Sequence, residues 1–265
     1  MIDSEKIGVG IITHNREYLL NKLLISLESC WNLIDENIII NDGDNSVNTG
    51  KWLSINHESN RGVGKSKNEA LLFLTNLNCD HIFLIEDDIF IKDPKVFEKY
   101  IEASKISGIQ HFNFSQHGLM NKSWPDGDPA PRFVVDYGKI TIPLYPNCVG
   151  AFSYYSRKCL ETAGLIDEQY FNACEHVDHT LEIIKKGMHP PFWYFADIEN
   201  SWEYLGDEPW SMSKSTISSN PNHKQMMIDA DHIFVKKHGC YPGQTPMVDW
   251  VEVGKILKQI KNEYS

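Results

Sequence analysis

The chain has 265 residues, of which 42% are hydrophobic and 23% charged. That balance excludes general disorder, and the length is enough for one large domain with a real core. With 25 Lys and Arg against 36 Asp and Glu the formal net charge is −11. An acidic surface repels duplex nucleic acid, so no dedicated DNA-binding module and no stable nucleic-acid partner is expected.

No apolar run approaches the ~20 residues of a membrane span. The first residues, Met1 to Lys6, are charged and lack the apolar core of an export signal. The expected location is therefore the cytoplasm. Six cysteines (Cys30, Cys79, Cys148, Cys159, Cys174 and Cys240) include no C-x-x-C pair, which argues against a zinc site of the usual spacing and for free thiols in a reducing compartment.

Ile7 to Thr13 is apolar and β-branched, which predicts a buried strand. Arg16 to Trp31 places Leu19, Leu20, Leu23, Leu24 and Leu27 at helical spacing. Asn37 to Asn41 reads as a second buried strand, Ser66 to Leu77 as a helix, and His81 to Ile85 as a third strand. Alternating strands and helices of this kind predict an α/β fold around a mostly parallel sheet with crossover helices. Beyond residue 93 the pattern predicts a helix over 94–107, a hairpin from Phe133–Val135 to Ile140–Ile142, and a strand over 147–155. Short helices are expected over 159–163 and 177–186, each stopped by a glycine, Gly164 and Gly187. Residues 211–222 are polar and Ser-rich and are expected to form a mobile loop. A terminal helix over 251–263 carries Ile256, Leu257 and Ile260 on one face with lysines nearby. It is expected to dock on the core, with peripheral membrane contact as the alternative.

Polar groups stand directly after each of the three strands: Thr13-His14-Asn15-Arg16, Asn41-Asp42-Gly43-Asp44 and Glu86-Asp87-Asp88. In open parallel sheets the carboxyl ends of the strands line the ligand crevice, so these three tips should converge. Three adjacent carboxylates repel one another unless compensated, and a hard divalent cation both removes that penalty and bridges phosphate oxygens. Alternation along extended chain would put Glu86 and Asp88 on one side and Asp87 on the other, so that one face could hold metal and the other a sugar hydroxyl. Asp42 can accept from a nucleobase or ribose, although Asp-Gly is also ordinary turn chemistry. Asn60 to Asn68 is Gly-rich and basic at a helix start, but Ser59 stands where a P-loop requires glycine. Lys65 and Lys67 could still attract a diphosphate. Nor do Gly8 and Gly10 make a dinucleotide fingerprint, since both lie inside the strand. Glu175-His176-Val177-Asp178-His179 is the densest titratable cluster, and any of Glu175, His176 and Asp178 could take a proton from a hydroxyl. Trp202, Tyr204 and Trp210 lie among polar residues and could stack on a sugar ring, whereas Trp193 and Phe195 read as core.

Taken in order, IGVGIITHNR, IIINDGDN, NRGVGKSKNEAL, HIFLIEDD and GAFSYYSRKCLETAGLIDEQYFNACEHVD resemble the family 2 glycosyltransferases, across about residues 6–190. The resemblance implies a GT-A (Rossmann-like) fold as a single domain. Residues 1–92 would bind the nucleotide sugar, 93–205 would form the acceptor side, and 206–265 would supply a C-terminal loop and helix. It implies a UDP-sugar donor, over which the segment around 207–222 would close, a glycan acceptor and a Mn²⁺ or Mg²⁺ cofactor. Asp88 is the metal candidate, and Glu86 and Asp87 are donor-site candidates. Thr13, Asn15 and Arg16 would border the nucleotide. Asp42 matches the position that contacts uracil, Asn60, Gly62 and Asn68 match the turn near base and ribose, and Gly150 matches a glycine of the acceptor-side strand. Glu175-His176 falls where the family usually carries Glu-Asp, the Asp being the base, so Glu175, His176 and Asp178 all remain candidates. A late histidine serves some relatives as a metal ligand, which brings in His223, His232 and His238. The alternatives are a sugar nucleotidyltransferase and a catalytically silent glycan-binding protein on the same scaffold.

Overall fold

The computed structural model describes residues 5–124, 127–208 and 220–265. β1 (Ile7–Thr13) is buried at every position, as a parallel strand covered on both faces must be. α1 (Glu17–Ser26) is shorter than the predicted helix, because from Leu27–Leu33 the chain winds as a 3₁₀ helix. The Ser26 and Ser29 hydroxyls donate to carbonyls three residues back, Leu23 (2.7 Å) and Ser26 (3.3 Å), which suits the tighter winding. β2 (Glu36–Asn41), β3 (Ser54–Asn56), α2 (Val63–Asn76) and β4 (His81–Glu86) follow. β2 and β4 pair parallel with β1 on its two sides, and β3 adds outside β2.

Side chains alternate across these strands and split the core in two. Val9, Ile11, Phe83 and Ile85 pack with Leu20 and Leu23 of α1, while Ile38, Ile40, Ile82 and Leu84 pack with Ala70, Leu71 and Leu74 of α2. The glycines of β1 serve that second face. A Cβ at Gly8 would lie 2.7 Å from Cys79 Sγ, and one at Gly10 would lie 2.9 Å from Ala70 Cβ, so the helix approaches the bare strand.

The second half contributes β5 (Ile89–Ile91), α3 (Val96–Ser107), β6 (His111–Asn113), β7 (Phe133–Asp136), β8 (Thr141–Tyr145), β9 (Phe152–Ser156), α4 (Arg157–Ala163) and α5 (Glu175–Lys185). β10 (Phe195–Ala196), α6 (Ser201–Tyr204), β11 (Leu205–Asp207), α7 (His223–His238) and α8 (Trp250–Tyr264) complete it. The main sheet runs β3-β2-β1-β4-β9-β6, with β9 antiparallel to both neighbours. The predicted hairpin is β7–β8, extended by β10, and β11 pairs with β5.

One expectation needs correction, one helix is additional, and one expectation holds. The strand predicted over 147–155 begins only at Phe152, because Asn147 bonds to Asn121 and Met120 and leaves no ladder there. α7 has no counterpart in the sequence reading. α8 docks on the core, as expected. Val253, Leu257 and Ile260 are buried, and a Cβ at Gly108, just after α3, would meet the Ile260 carbonyl at 2.6 Å. Among the described residues no helix is long and apolar enough to cross a membrane.

The strand order turns back at β1, whose two neighbours lead away in opposite directions. A crevice outside the carboxyl ends of β1, β2 and β4 follows from that topology.

Candidate active site

Thr13, Arg16, Asp42, Asn60, Gly62 and Glu86, all singled out in the sequence, line one crevice at that switch point. His14, Ser66, Phe171, Asn172, Asn220 and Met226 line it too and were missed. His14 and Ser66 stood inside motifs already noted. Phe171 and Asn172 stood inside one as well, whereas Asn220 and Met226 come from segments whose placement is set only by tertiary closure.

Asp42 is the fixed point of the crevice floor. Its Oδ1 accepts from the Arg61 backbone N–H (2.7 Å) and its Oδ2 from that of Gly62 (2.9 Å). His57 Nδ1 lies 2.6 Å from the same Oδ1, and its Nε2 2.6 Å from Glu69. The carboxylate thus pins the 60–62 turn to the end of β2. Only glycine fits at 62, where φ is +89° and a Cβ would lie 2.7 Å from the Phe171 carbonyl. Asp42 faces the crevice with these bonds made, and a carboxylate's remaining lone pairs can accept one more donor.

The acidic triplet follows β4. Asp87 accepts from Thr13 Oγ1 (2.6 Å) and pairs with Arg16, whose Nη1 also donates to Asp88 Oδ2 (3.0 Å). The expected division of faces needs correction here. Asp87 is 1% exposed beneath Thr13 and Arg16 and presents no face to a sugar. Burial raises its carboxyl to about 7, with Asp88 and Glu86 adding to the rise and Arg16 and Thr13 opposing it. Asp88 Oδ1 is buried and has no hydrogen-bond partner among the described residues. An unpartnered buried carboxylate oxygen is a hard donor of the kind Mn²⁺ or Mg²⁺ takes, so Asp88 fits as a single ligand. The three carboxylates do not come within metal-ligating reach of one another, unlike Asp178, Glu182 and His238. His117, bonded to Asp207 at 3.1 Å, lies close enough for Asp88 and Glu86 to help hold its imidazole above the usual range against burial.

Lys67 joins the triplet to the start of α5. Its ammonium lies 2.8 Å from Glu86 Oε1 and 2.9 Å from Glu175 Oε1, with the Gly150 carbonyl at 3.3 Å. It is therefore buried between carboxylates and is not free to grip a diphosphate, as the sequence had suggested. Burial alone would raise the Glu175 carboxyl, but Lys67 and His176 outweigh it and hold it well below the carboxylate range. Glu175 Oε1 is 3.2 Å from His176 Nδ1. The imidazole is part-exposed while Glu175 is not. It lies flat against Gly150, where a Cβ would stand 2.7 Å from His176 Cγ. A proton on Nδ1 shared with Glu175 leaves Nε2 as an acceptor, the tautomer a general base needs.

Other candidates are placed elsewhere. Asn15, at φ +55°, exchanges hydrogen bonds with the side chain and backbone of Asp44 (both 2.9 Å) and so ties β1 to the turn after β2. Asn68 is buried, and its amide is closed on the Ile166 backbone (2.8 and 2.9 Å), so it holds the 166–168 loop and does not meet a ligand. Asp178 is buried one turn into α5 and bonds Lys237 (2.7 Å), His238 (2.6 Å) and Tyr170 (3.2 Å). It anchors α7 to α5, which removes it from the base candidates. Asp178, Glu182 and His238 come within metal-ligating reach of one another, but the Lys237 ammonium already supplies their cation. His223 and His232 make no hydrogen bond to the triplet among the described residues. Trp202 is part-exposed on α6, Phe195 is core, and Trp210 and most of the 207–222 loop lie outside the described residues.

No family model matches the chain, and no curated protein matches it either. Solved structures do. S. aureus TarS matches at TM-score 0.52 and 14% identity over 97% of this chain and 43% of that one. The mannosyltransferase PcManGT from Pyrobaculum calidifontis, in complex with GDP-Man and Mn²⁺, matches at 0.56 and 11%, over 97% of this chain and 70% of that one. GalNAc-T7 with UDP, GalNAc and Mn²⁺ matches at 0.53 and 11%, over 98% and 55%. The chain has the GT-A fold. It spans less than half the length of full TarS.

Proposed function

We propose that this chain transfers a sugar from a nucleoside-diphosphate sugar, UDP-linked, to a hydroxyl of a glycan, with inversion at the anomeric carbon. One observation carries the reading. Residues from four motifs far apart in sequence line a single crevice, with the acidic triplet on one flank and a Glu175–His176 pair joined to it through Lys67. The TarS fragment 1–349 with UDP or UDP-GlcNAc bound, PcManGT with GDP-Man and GalNAc-T7 with UDP support the ligand class.

In this reading Asp42 and the backbone of the 60–62 turn receive the base and ribose. Phe171 and Met226 line the same crevice, whose free volume is about 90 Å³. A divalent cation held by Asp88 would neutralise charge on the leaving diphosphate. His176 takes the acceptor proton, and Glu175 fixes its tautomer and stabilises the imidazolium that forms. The family's Asp is replaced by imidazole, so the carboxylate acts one step back.

The test is thermal melting with UDP and Mn²⁺. A ligand at one hundred times its Kd adds about 2.7 kcal/mol, which moves the midpoint by several degrees in a chain this long. The wild type should show that rise with UDP and a further one when Mn²⁺ is added. Asp88→Ala should keep the unliganded midpoint, still respond to UDP, and lose the Mn²⁺ increment. No response to any nucleotide or nucleotide sugar would remove the proposal.

A further inference from the structure

Arg16 occupies a place that the proposed reaction does not yet account for. It stands at the cap of α1, immediately before Glu17–Ser26, and its guanidinium forks across two different carboxylates, Asp87 and Asp88. Forks of this kind usually close on one carboxylate or one phosphate, where both N–H groups find parallel acceptors. Here the pairing is incomplete at both ends. Arg16 Nε and Asp88 Oδ1 are each buried without a hydrogen-bond partner among the described residues. A donor and an acceptor left over side by side mark a contact that other partners could satisfy better.

The charges point the same way. Glu86, Asp87, Asp88 and Glu175 are linked through Lys67 and Arg16, so four carboxylates face two cations. Lys67 is enclosed between Glu86 and Glu175 and has no route to the crevice, whereas Arg16 is one of the crevice's lining residues. Of the two cations, Arg16 alone can reach a ligand without leaving its backbone position. Asp87 relies on Arg16 Nη2 at its buried Oδ1 as well as on Thr13 Oγ1 at Oδ2 (2.6 Å), so the contact free to exchange is the one between Nη1 and Asp88.

We propose that Arg16 is an exchangeable counter-cation: it holds Asp88 when the crevice is empty and passes to a diphosphate oxygen of the nucleotide when a divalent cation takes Asp88. Cation and nucleoside diphosphate therefore bind cooperatively, each helping to free or to occupy the guanidinium. The inference rests on the reading of Asp88 as a metal ligand. Without nucleotide Arg16 competes with the metal, and with nucleotide it has a second acceptor of matching geometry. Linkage makes the effect reciprocal, so the metal must tighten the nucleotide by the same factor.

The test is Mn²⁺ binding, followed by the electron paramagnetic resonance of the free ion, with and without UDP, for the wild type, Arg16→Lys and Asp88→Ala. Lysine keeps the charge and gives up the fork, so simple electrostatics predicts no change. The exchange predicts that Arg16→Lys binds Mn²⁺ about tenfold more tightly than the wild type without UDP, and within about threefold of it with UDP. Arg16→Gln serves in the same comparison if the lysine variant does not fold. Wild-type Mn²⁺ affinity in Arg16→Lys, together with wild-type coupling to UDP, would overturn the exchange. Should Asp88→Ala lose Mn²⁺ in that case, only the role of Arg16 falls. If Asp88→Ala binds Mn²⁺ as the wild type does, the metal reading of Asp88 falls, and the exchange with it.

Discussion

His176→Ala is expected to lower the rate of sugar transfer by about 10²–10⁴-fold, the usual contribution of a positioned general base, while UDP still raises the melting midpoint as in the wild type. The argument is geometric. The imidazole is the one member of the Glu175–His176 pair with exposed surface, and Glu175 sits behind it with its charge committed to Lys67. A carboxylate held far below its ordinary range is a weak base, so Glu175 serves His176 by orientation and charge. His176→Asp should recover part of the rate and move the acid limb of the pH–rate profile to lower pH, because a carboxylate titrates below an imidazole. Glu175→Gln should depress kcat with little effect on KM, since the substrate does not touch it. Gly150→Ala should approach the alanine variant. Its methyl would stand 2.7 Å from the ring carbon, and a displacement of about 1 Å at a reacting group can cost about 10²-fold. Unchanged transfer in both His176→Ala and Gly150→Ala would show that the base lies elsewhere.

The half of the molecule that positions the nucleotide crevice was legible because it is built from local signals. Within β1, β2 and β4, residues 7–12, 38–40 and 82–85 carry no polar side chain, and each run ends abruptly in groups that cannot be buried unpaired. Strand tips in a parallel sheet share one edge, so Thr13, Asp42 and Glu86 had to meet. What each group does there was less legible. Asn68 lies in the second turn of a helix that starts among glycines and lysines, yet its amide closes on Ile166, 98 residues away. Lys67 has the look of a phosphate ligand until the fold brings Glu175 against it from 108 residues away. Both assignments turned on partners that local pattern does not carry. α7 escaped notice for a simpler reason. Only Ala230 and Phe234 are buried along its sixteen residues, a stripe too thin to show as helical periodicity. Its docking depends on Lys237 and His238 meeting Asp178, and an ion pair between distant helices leaves no trace in spacing.

Lys67→Met should be the most damaging single change to stability, and its pH dependence distinguishes a buried ion pair from lost packing. The methionine has nearly the lysine's shape, so little apolar contact is lost. What remains is Glu175, almost fully buried, and Glu86, both without their cation. Removing one partner of a buried pair typically costs about 3–5 kcal/mol, which at about 2–4 °C per kcal/mol lowers the midpoint by about 6–20 °C. In the wild type, Lys67 and His176 hold the folded Glu175 carboxyl below its unfolded value of 4.5. That contribution is complete above pH 4.5 and is lost as pH falls below it, because the folded state then resists a proton that the unfolded chain accepts. In Lys67→Met the sign reverses. Burial without a counter-ion lifts the carboxyl above its unfolded value, so the variant gains stability from protonation as the pH falls. The gap between wild type and variant should therefore be widest near pH 7 and shrink markedly toward pH 4, measured by urea denaturation at each pH. Lys67→Met combined with Glu175→Gln should close part of the gap at pH 7 by removing the stranded charge. A gap that stayed constant from pH 7 to 4 would mean that Lys67 contributes packing alone, and the electrostatic bridge between the acidic triplet and the base would have to be abandoned.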